Sequence, residues 1–227
     1  MKMLRQLTNY DDPNSFGSRM RRRRGAGLRG LIEQCYAAKG AVRLLDMGGE
    51  IRYWNIFGSD YLMAHRVSIT LVNLSEENLP DNPNPALFTT IIGDCCDLSF
   101  EDDAFDIAHS NSVIEHLGGW DSMSKFAAQT RRVAPHYYVQ TPAFWFPIEP
   151  HFGVPFFHWL PESTRMALVQ RWQIGKGPKA DNMDHAAVLI NYYRLLDRAQ
   201  FSHFFPDAEI MLEKFVGLTK SFVALKQ

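Results

Sequence analysis

Four short stretches of the chain carry residues of the kind that hold a polar small molecule. In Asp46-Met47-Gly48-Gly49-Glu50 a short apolar run ends in an acidic residue and two glycines. Paired glycines allow a tight turn that brings backbone N–H groups close to a ligand. Asn73-Leu74, Gly93-Asp94-Cys95 and Ser110-Asn111-Ser112 follow three further apolar runs, and each offers small, polar or acidic residues where a core would accept none. Glu115 and His116 come just after the last of these stretches, and His151 and His158 lie further on. Histidine changes charge between about pH 5 and 8, so His116 and His151 are candidates for a base or a substrate ligand.

These residues need elements to bring them together. Short apolar, β-branched runs predict strands at residues 42–47, 68–72, 88–92, 105–109 and 137–140. Between them lie a helix somewhere in 51–65, a loop at 80–85 enforced by three prolines, and helical patterns at 113–117 and 122–133. Strands alternating with helices or crossover loops imply a parallel sheet with right-handed crossovers. In such sheets ligands bind outside the carboxyl ends of the strands, where the four stretches fall. Before the first strand, residues 15–39 read as helical, with Phe16, Met20, Leu28, Leu31, Ile32 and Cys35 on the buried face and Gly40 as the stop. A turn is expected at Asp11-Asp12-Pro13-Asn14. Arg21-Arg22-Arg23-Arg24 reads either as a solvated helix face or as an arm over an anionic ligand.

After Thr141 the chain changes character. Residues 142–161 hold five prolines among Phe144, Trp145, Phe146, Phe152, Phe156, Phe157 and Trp159. Such a density of rigid and aromatic residues predicts an ordered lid or pocket wall, with Trp145, Phe146, His158 and Glu115 as candidate substrate contacts. Helices are expected over 162–173 and 183–204, and alternating residues at 209–215 and 219–225 predict a final hairpin at the sheet edge.

Composition excludes some classes. At 227 residues with a formal charge of -1, the chain reads as one domain and lacks the strongly basic footprint of a general nucleic-acid binder. Its three cysteines, Cys35, Cys95 and Cys96, have no ligand-like spacing, so reduced thiols and no metal centre are expected. No apolar run reaches membrane-spanning length and no signal-peptide core is seen, which gives a cytoplasmic expectation.

The run from Gly93 to Ile107, Gly93-Asp94-Cys95-Cys96-Asp97-Leu98-Ser99-Phe100-Glu101-Asp102-Asp103-Ala104-Phe105-Asp106-Ile107, resembles the third- and fourth-strand region of class I S-adenosylmethionine-dependent methyltransferases of the type 11 kind. Ser110-Asn111-Ser112-Val113-Ile114-Glu115-His116-Leu117 is similar to the segment that follows in that family, and the likeness spans residues 42–141. It implies a doubly wound, mostly parallel seven-stranded Rossmann-like α/β sheet with an antiparallel C-terminal hairpin. A single domain over 1–227 would carry an N-terminal helical cap at 1–40 and a substrate insertion at 142–182. The implied cofactor is S-adenosyl-L-methionine. Gly48 and Gly49 would pass under its methionine part, and Asp46 would position that loop or the cofactor's amino group. Asn73, beside Leu74, would hold the ribose, Asp94 and Cys95 the adenine, and Ser110 and Asn111 would close the pocket. Glu50 replaces a glycine usual in the family and is expected to face the methionine end; Asn73 replaces an acidic residue. The implied activity is methyl transfer to O or N of a small-molecule or sugar-like acceptor. The alternatives are a non-catalytic cofactor-binding module and an RNA or protein methyltransferase. A nucleotide-binding oxidoreductase is disfavoured by the missing G-x-G-x-x-G pattern.

Overall fold

The computed structural model describes residues 16–75, 82, 84–175 and 177–227, with residues 16–18 described in their backbone alone. The turn expected at residues 11–14, the side chain of Phe16 and half of the loop at 80–85 lie outside these residues.

Seven strands form one sheet: β1 (Val42–Met47), β2 (Val67–Asn73), β3 (Phe88–Ile92), β4 (Ile107–Asn111), β5 (His136–Pro142), β6 (Glu209–Phe215) and β7 (Leu218–Lys226). Their order is β3-β2-β1-β4-β5-β7-β6. The first five run parallel, and β7 pairs antiparallel with β5 and with β6. The β6–β7 turn at Val216 and Gly217 has φ 49° and 81°, two left-handed residues as a tight hairpin requires. The fold expected from the sequence is therefore the fold observed.

Each central strand is buried because it is covered on both faces. β1 shows five buried residues in six, and its Val42, Leu44, Leu45 and Met47 are wholly inaccessible. One face packs on α2 (Ala26–Lys39), whose Leu28, Leu31, Ile32 and Cys35 recur at helical spacing. That helix ends where Gly40 turns left-handed at φ 74° and donates its N–H to Tyr36 O. The opposite face packs on α4 (Trp120–Val133) through Met123, Phe126, Ala127 and Val133. Burying a side chain such as Phe126 contributes roughly 1.5–3 kcal/mol relative to leaving it exposed.

Several expected bounds move. The N-terminal helix is two helices, α1 (Phe16–Arg24) and α2, parted at Gly25. Residues 51–65 hold a 3-10 turn (Ile51–Ile56) and a short α3 (Ser59–Ala64), and 113–117 shrinks to a 3-10 turn (Ile114–His116). β4 starts two residues later than expected, because Asp106 is tied to Arg43 N and Lys39 and pairing with β1 begins at Ile107. Ser110 and Asn111 are thus the last residues of β4 rather than the start of a loop. α5 (Glu162–Arg171) ends two residues before the expected bound, and the long helix expected at 183–204 divides into α6 (Met183–Asn191) and α7 (Arg198–Phe204). Asp197 starts α7 with a capping box closed by Gln200.

A third cluster of buried side chains (Phe152, Phe157, Val169, Ala180, Ala186 and Ile190) sits apart from the two that flank the sheet. The segment after β5 therefore has a small core of its own, which extends into α6. Among the described residues no helix is long and apolar enough to cross a membrane.

Candidate active site

The cofactor-type residues converge where the sequence places them, at the carboxyl ends of β1, β2, β3 and β4. Gly48, at φ 74°, donates its N–H to Val72 O at 2.8 Å, and a side chain there would meet Val113. A Cβ on Gly49 would fall 1.8 Å from the Asp46 carboxylate. Only glycine fits at either position.

Asp46 is fully buried, and both its oxygens are engaged. Oδ1 lies 2.7 Å from His109 Nδ1, and Oδ2 accepts from Trp54 Nε1 at 2.8 Å. Asp46 therefore fastens the 3-10 turn after the glycines to β4. His109 is also enclosed by the rings of Tyr53, Trp54 and Tyr138. Sequence reading missed His109. The only signal was its place in the fourth apolar run, and the parallel register Asp46↔His109 is what reveals the pair.

Asn73 donates its amide to Gly49 O at 3.1 Å, tying the end of β2 to the glycine turn. Leu74, beside it, is an apolar side chain 69% exposed. Asp94 Oδ1 accepts from the N–H of Cys96, which shapes the turn after β3. Burial pushes the thiol of Cys95 up to about 12 and that of Cys96, with Asp94 beside it, to about 11, so both stay protonated. Ser110 donates to Met47 O and is buried.

Two expectations need correction. Glu50 is exposed, and its carboxylate pairs with the Arg52 guanidinium, so it is already engaged at the surface instead of being held in reserve for an ammonium. The arginine run is not one solvated face either. Arg22 and Arg23 are exposed, but the Arg24 guanidinium is buried, donating to Asn111 Oδ1 at 2.9 Å and to Glu213 Oε2 at 3.1 Å. Arg24 thereby pins α1 over the end of β4. It also borders a cavity of about 190 Å³ lined by Asn111, Ser112, Gln140 and Phe146.

The acid–base candidates gather on the other side of β4. Glu115, His116 and His151 each offer a ligand-type atom, and the three atoms lie within 4.8 Å of one another. The His116 and His151 rings meet edge to face at 4.8 Å, and His151 stacks on Tyr193 at 3.8 Å. Glu115 is fully buried, accepting from Thr141 Oγ1 with Oε2, while Oε1 accepts nothing among the described residues. Burial raises the Glu115 carboxyl to about 7, and burial together with His151 lowers the His116 imidazole to about 4. Glu149, which the sequence reading did not select, is 2% exposed; its carboxylate meets His151 Nδ1 and accepts from the N–H groups of His151 and Phe152. The spacing Glu149-x-His151 was its only signal.

Beside this cluster is a cavity of about 540 Å³ lined by Glu149, Phe152, His158, Arg165, Tyr193 and Arg194, among others. His158 is anchored to Phe144 O through Nε2. Trp145 does not join the cavity wall: it is 65% exposed and leans on Phe144 and Trp159. Phe146 borders the smaller cavity at Arg24 instead.

Residues 55–135 match a protein family described as "Methyltransferase domain". The likeness to that family thus falls on the stretch from the 3-10 turn after the glycines through α4. A protein from Pyrococcus horikoshii OT3, PH0226, shares the fold at a TM-score of 0.52, with 15% identity over 99% of this chain and 97% of that one. A 1,6-didemethyltoxoflavin-N1-methyltransferase from Burkholderia thailandensis, solved with its substrate and S-adenosylhomocysteine, aligns at 0.49 and 15% identity over 88% of this chain and 78% of that one. Phosphoethanolamine N-methyltransferase 2 from Haemonchus contortus, solved with S-adenosyl-L-methionine, aligns at 0.47 and 16% identity over 76% of this chain and 35% of that one. The chain thus spans about a third of that enzyme's length. None of the curated proteins matches it.

Proposed function

We propose that the protein transfers a methyl group from S-adenosylmethionine to an oxygen or nitrogen of a small-molecule or sugar-like acceptor. The observation that carries this reading is the meeting of Gly48–Gly49, Asn73–Leu74, Asp94–Cys95 and Ser110–Asn111 at the ends of four adjacent strands of the β3-β2-β1-β4-β5-β7-β6 sheet. The residues present fit the cofactor. The glycine turn brings backbone close, Leu74 offers an apolar face at the β2 end, and the Asp94 carboxylate at the neighbouring strand end is an acceptor for an amino group. Arg52 balances the negative charge that Glu50 places at the turn.

When bound, the cofactor supplies an electrophilic methyl group on a sulfonium. The protein's part is to align the acceptor and to take up its proton where it carries one. The acceptor belongs in the cavity bordered by Glu149, Tyr193 and Arg194, with its reacting atom toward Glu115, His116 and His151. Glu115, with a pKa of about 7, is the group suited to take a proton near neutral pH; His151 is oriented by the Glu149 carboxylate, and His116, at about 4, stays uncharged. His158 and Phe152 form the wall, whereas Trp145 lies outside it.

A binding module without turnover is the second reading, favoured by Glu50 standing in the glycine turn. An RNA or protein acceptor is less well supported, because Arg24 is buried on Glu213 and the chain's net charge is -1. Calorimetric titration with S-adenosylmethionine, S-adenosylhomocysteine and NAD tests the cofactor. A metabolite screen with methyl-labelled cofactor tests turnover. Binding of neither sulfur nucleotide overturns the proposal, and binding without any methylated product selects the module.

A further inference from the structure

The Glu115–His116–His151 cluster has a feature that a side-chain base does not require. It combines two imidazoles and one carboxylate, and among the described residues the carboxylate keeps a wholly buried oxygen with no hydrogen-bond donor. Glu115 is 0% exposed, and its Oε1 has no partner among the described residues. A buried carboxylate oxygen in that condition is costly unless a proton or a cation meets it.

Behind the cluster stands a second carboxylate in the position typical of metal centres. Glu149 engages Nδ1 of His151, which fixes the ring and leaves Nε2 as its only nitrogen for a ligand. Metal-bound histidines almost always give their other ring nitrogen to a carboxylate, carbonyl or water. Glu149 is itself locked by the N–H groups of His151 and Phe152 at 2.9 and 2.7 Å, so this support is rigid. Tyr193, stacked on His151, and Tyr192, edge-on to His116, hold the two rings from the α6 side.

From these observations we propose that Glu115, His116 and His151 bind a divalent first-row transition-metal ion, with Glu149 orienting His151. A mixed nitrogen and oxygen set of this kind suits Zn²⁺, Co²⁺ or Fe²⁺ better than Ca²⁺ or Mg²⁺, which prefer oxygen alone. Bonds of about 2.0–2.2 Å to the ion would set the donor atoms roughly 3.3 Å apart, against the 4.8 Å within which they lie here. Three protein ligands leave at least one coordination position open, as in catalytic rather than structural sites. The neighbouring cavity of about 540 Å³, which touches Glu149 and Tyr193, is the source of the group that fills it. The role of the ion, though not its binding, rests on the proposed methyl transfer. An acceptor bound through a hydroxyl or phenolic oxygen would have that oxygen acidified and positioned by the ion, in place of a side-chain base.

The test uses the full chain stripped with a chelator, titrated with Co²⁺ by visible absorption and with Zn²⁺ by calorimetry. One equivalent is expected, with d–d bands in the visible that disappear on adding excess Zn²⁺. His116→Ala and His151→Ala should each abolish the bands while far-ultraviolet circular dichroism is unchanged, and Glu149→Gln should weaken binding by about 10–100-fold. Glu115→Gln, nearly isosteric and uncharged, should also lose the site and guards against a variant that fails to fold. Absence of a bound equivalent, or equal binding by the His116→Ala/His151→Ala double variant, overturns the proposal. Titration of the stripped protein with S-adenosylmethionine separates the two ideas: cofactor binding without metal uptake rejects the metal alone, and metal uptake without cofactor binding rejects the methyl-transfer reading alone.

Discussion

The carboxylate of Asp46 and the imidazole of His109 face each other at 2.7 Å across two adjacent parallel strands, and both side chains are closed to solvent. With Trp54 Nε1 on the other carboxylate oxygen, this pair joins the first strand, the fourth strand and the turn that follows the glycines. Removing one partner leaves the other buried and unmatched. Asp46→Ala should therefore lower the unfolding free energy by about 3 kcal/mol, read from urea denaturation at pH 7. Trp54→Phe, which loses one hydrogen bond and no charge, should cost about 1 kcal/mol. Equal effects of the two changes would show that the charge at Asp46 is not what matters.

Gly49→Ala should be worse for ligand binding than its size suggests. The added methyl would sit inside the Asp46 carboxylate, so the turn or the Asp46–Trp54 bond must move. At least a tenfold loss of S-adenosylmethionine affinity is expected by calorimetry, together with a lower Tm. Gly30→Ala, on α2 where a methyl meets nothing, is the control and should leave both unchanged or raise the Tm slightly.

Arg24 and Glu213 form a mostly buried ion pair, each side chain 10% exposed, with the hydroxyl of Ser221 also on Glu213. Arg24→Met strands the carboxylate and should destabilise by about 3 kcal/mol; Arg24→Met/Glu213→Gln should recover a large part of that loss. A double variant no more stable than the single one would mean that the arginine contributes by packing and not by charge.

Acid sensitivity should trace in part to Asp106. Burial alone would raise its pKa, but the hydrogen bonds from Lys39 Nζ and the Arg43 N–H outweigh it and hold the group below its ordinary 3.8. A carboxyl lowered in the folded state binds fewer protons there than in the unfolded chain. Its stabilisation is present above that ordinary value and is lost as pH falls through the folded one. Asp106→Asn should flatten the fall of stability below about pH 4, measured by denaturant titration at a series of pH values. Asp207 and Glu213 are also lowered, so a slope remains.

Much of this molecule can be read from its sequence, and the exceptions have physical causes. β3 falls on the expected residues because it is a mainly β-branched run, Phe88-Thr89-Thr90-Ile91-Ile92, between a loop and Gly93. β4 was misplaced by two residues because Phe105 and Asp106 continue the apolar-looking pattern, while Asp106 is bound to the end of α2 and the start of β1. The glycine turn and the strand-end polar residues were legible because strand ends are local. The Asp46–His109 pair was not, since it depends on a register between strands 63 residues apart. Glu115, His116 and His151 were each visible singly; their meeting, and the support of Glu149, depends on the path of the chain after β5.

The hydrophobic cluster of Phe152, Phe157, Val169, Ala180, Ala186 and Ile190 is separate from the clusters against the sheet. Energetic coupling is strong within a packed cluster and weak between distant ones. Changes that reshape this satellite core can alter the neighbouring cavity of about 540 Å³ while the strand ends under the glycine turn keep their geometry. The segment after β5 is thus a replaceable cassette: divergence or directed evolution can reshape the cavity it borders without disturbing the strand ends.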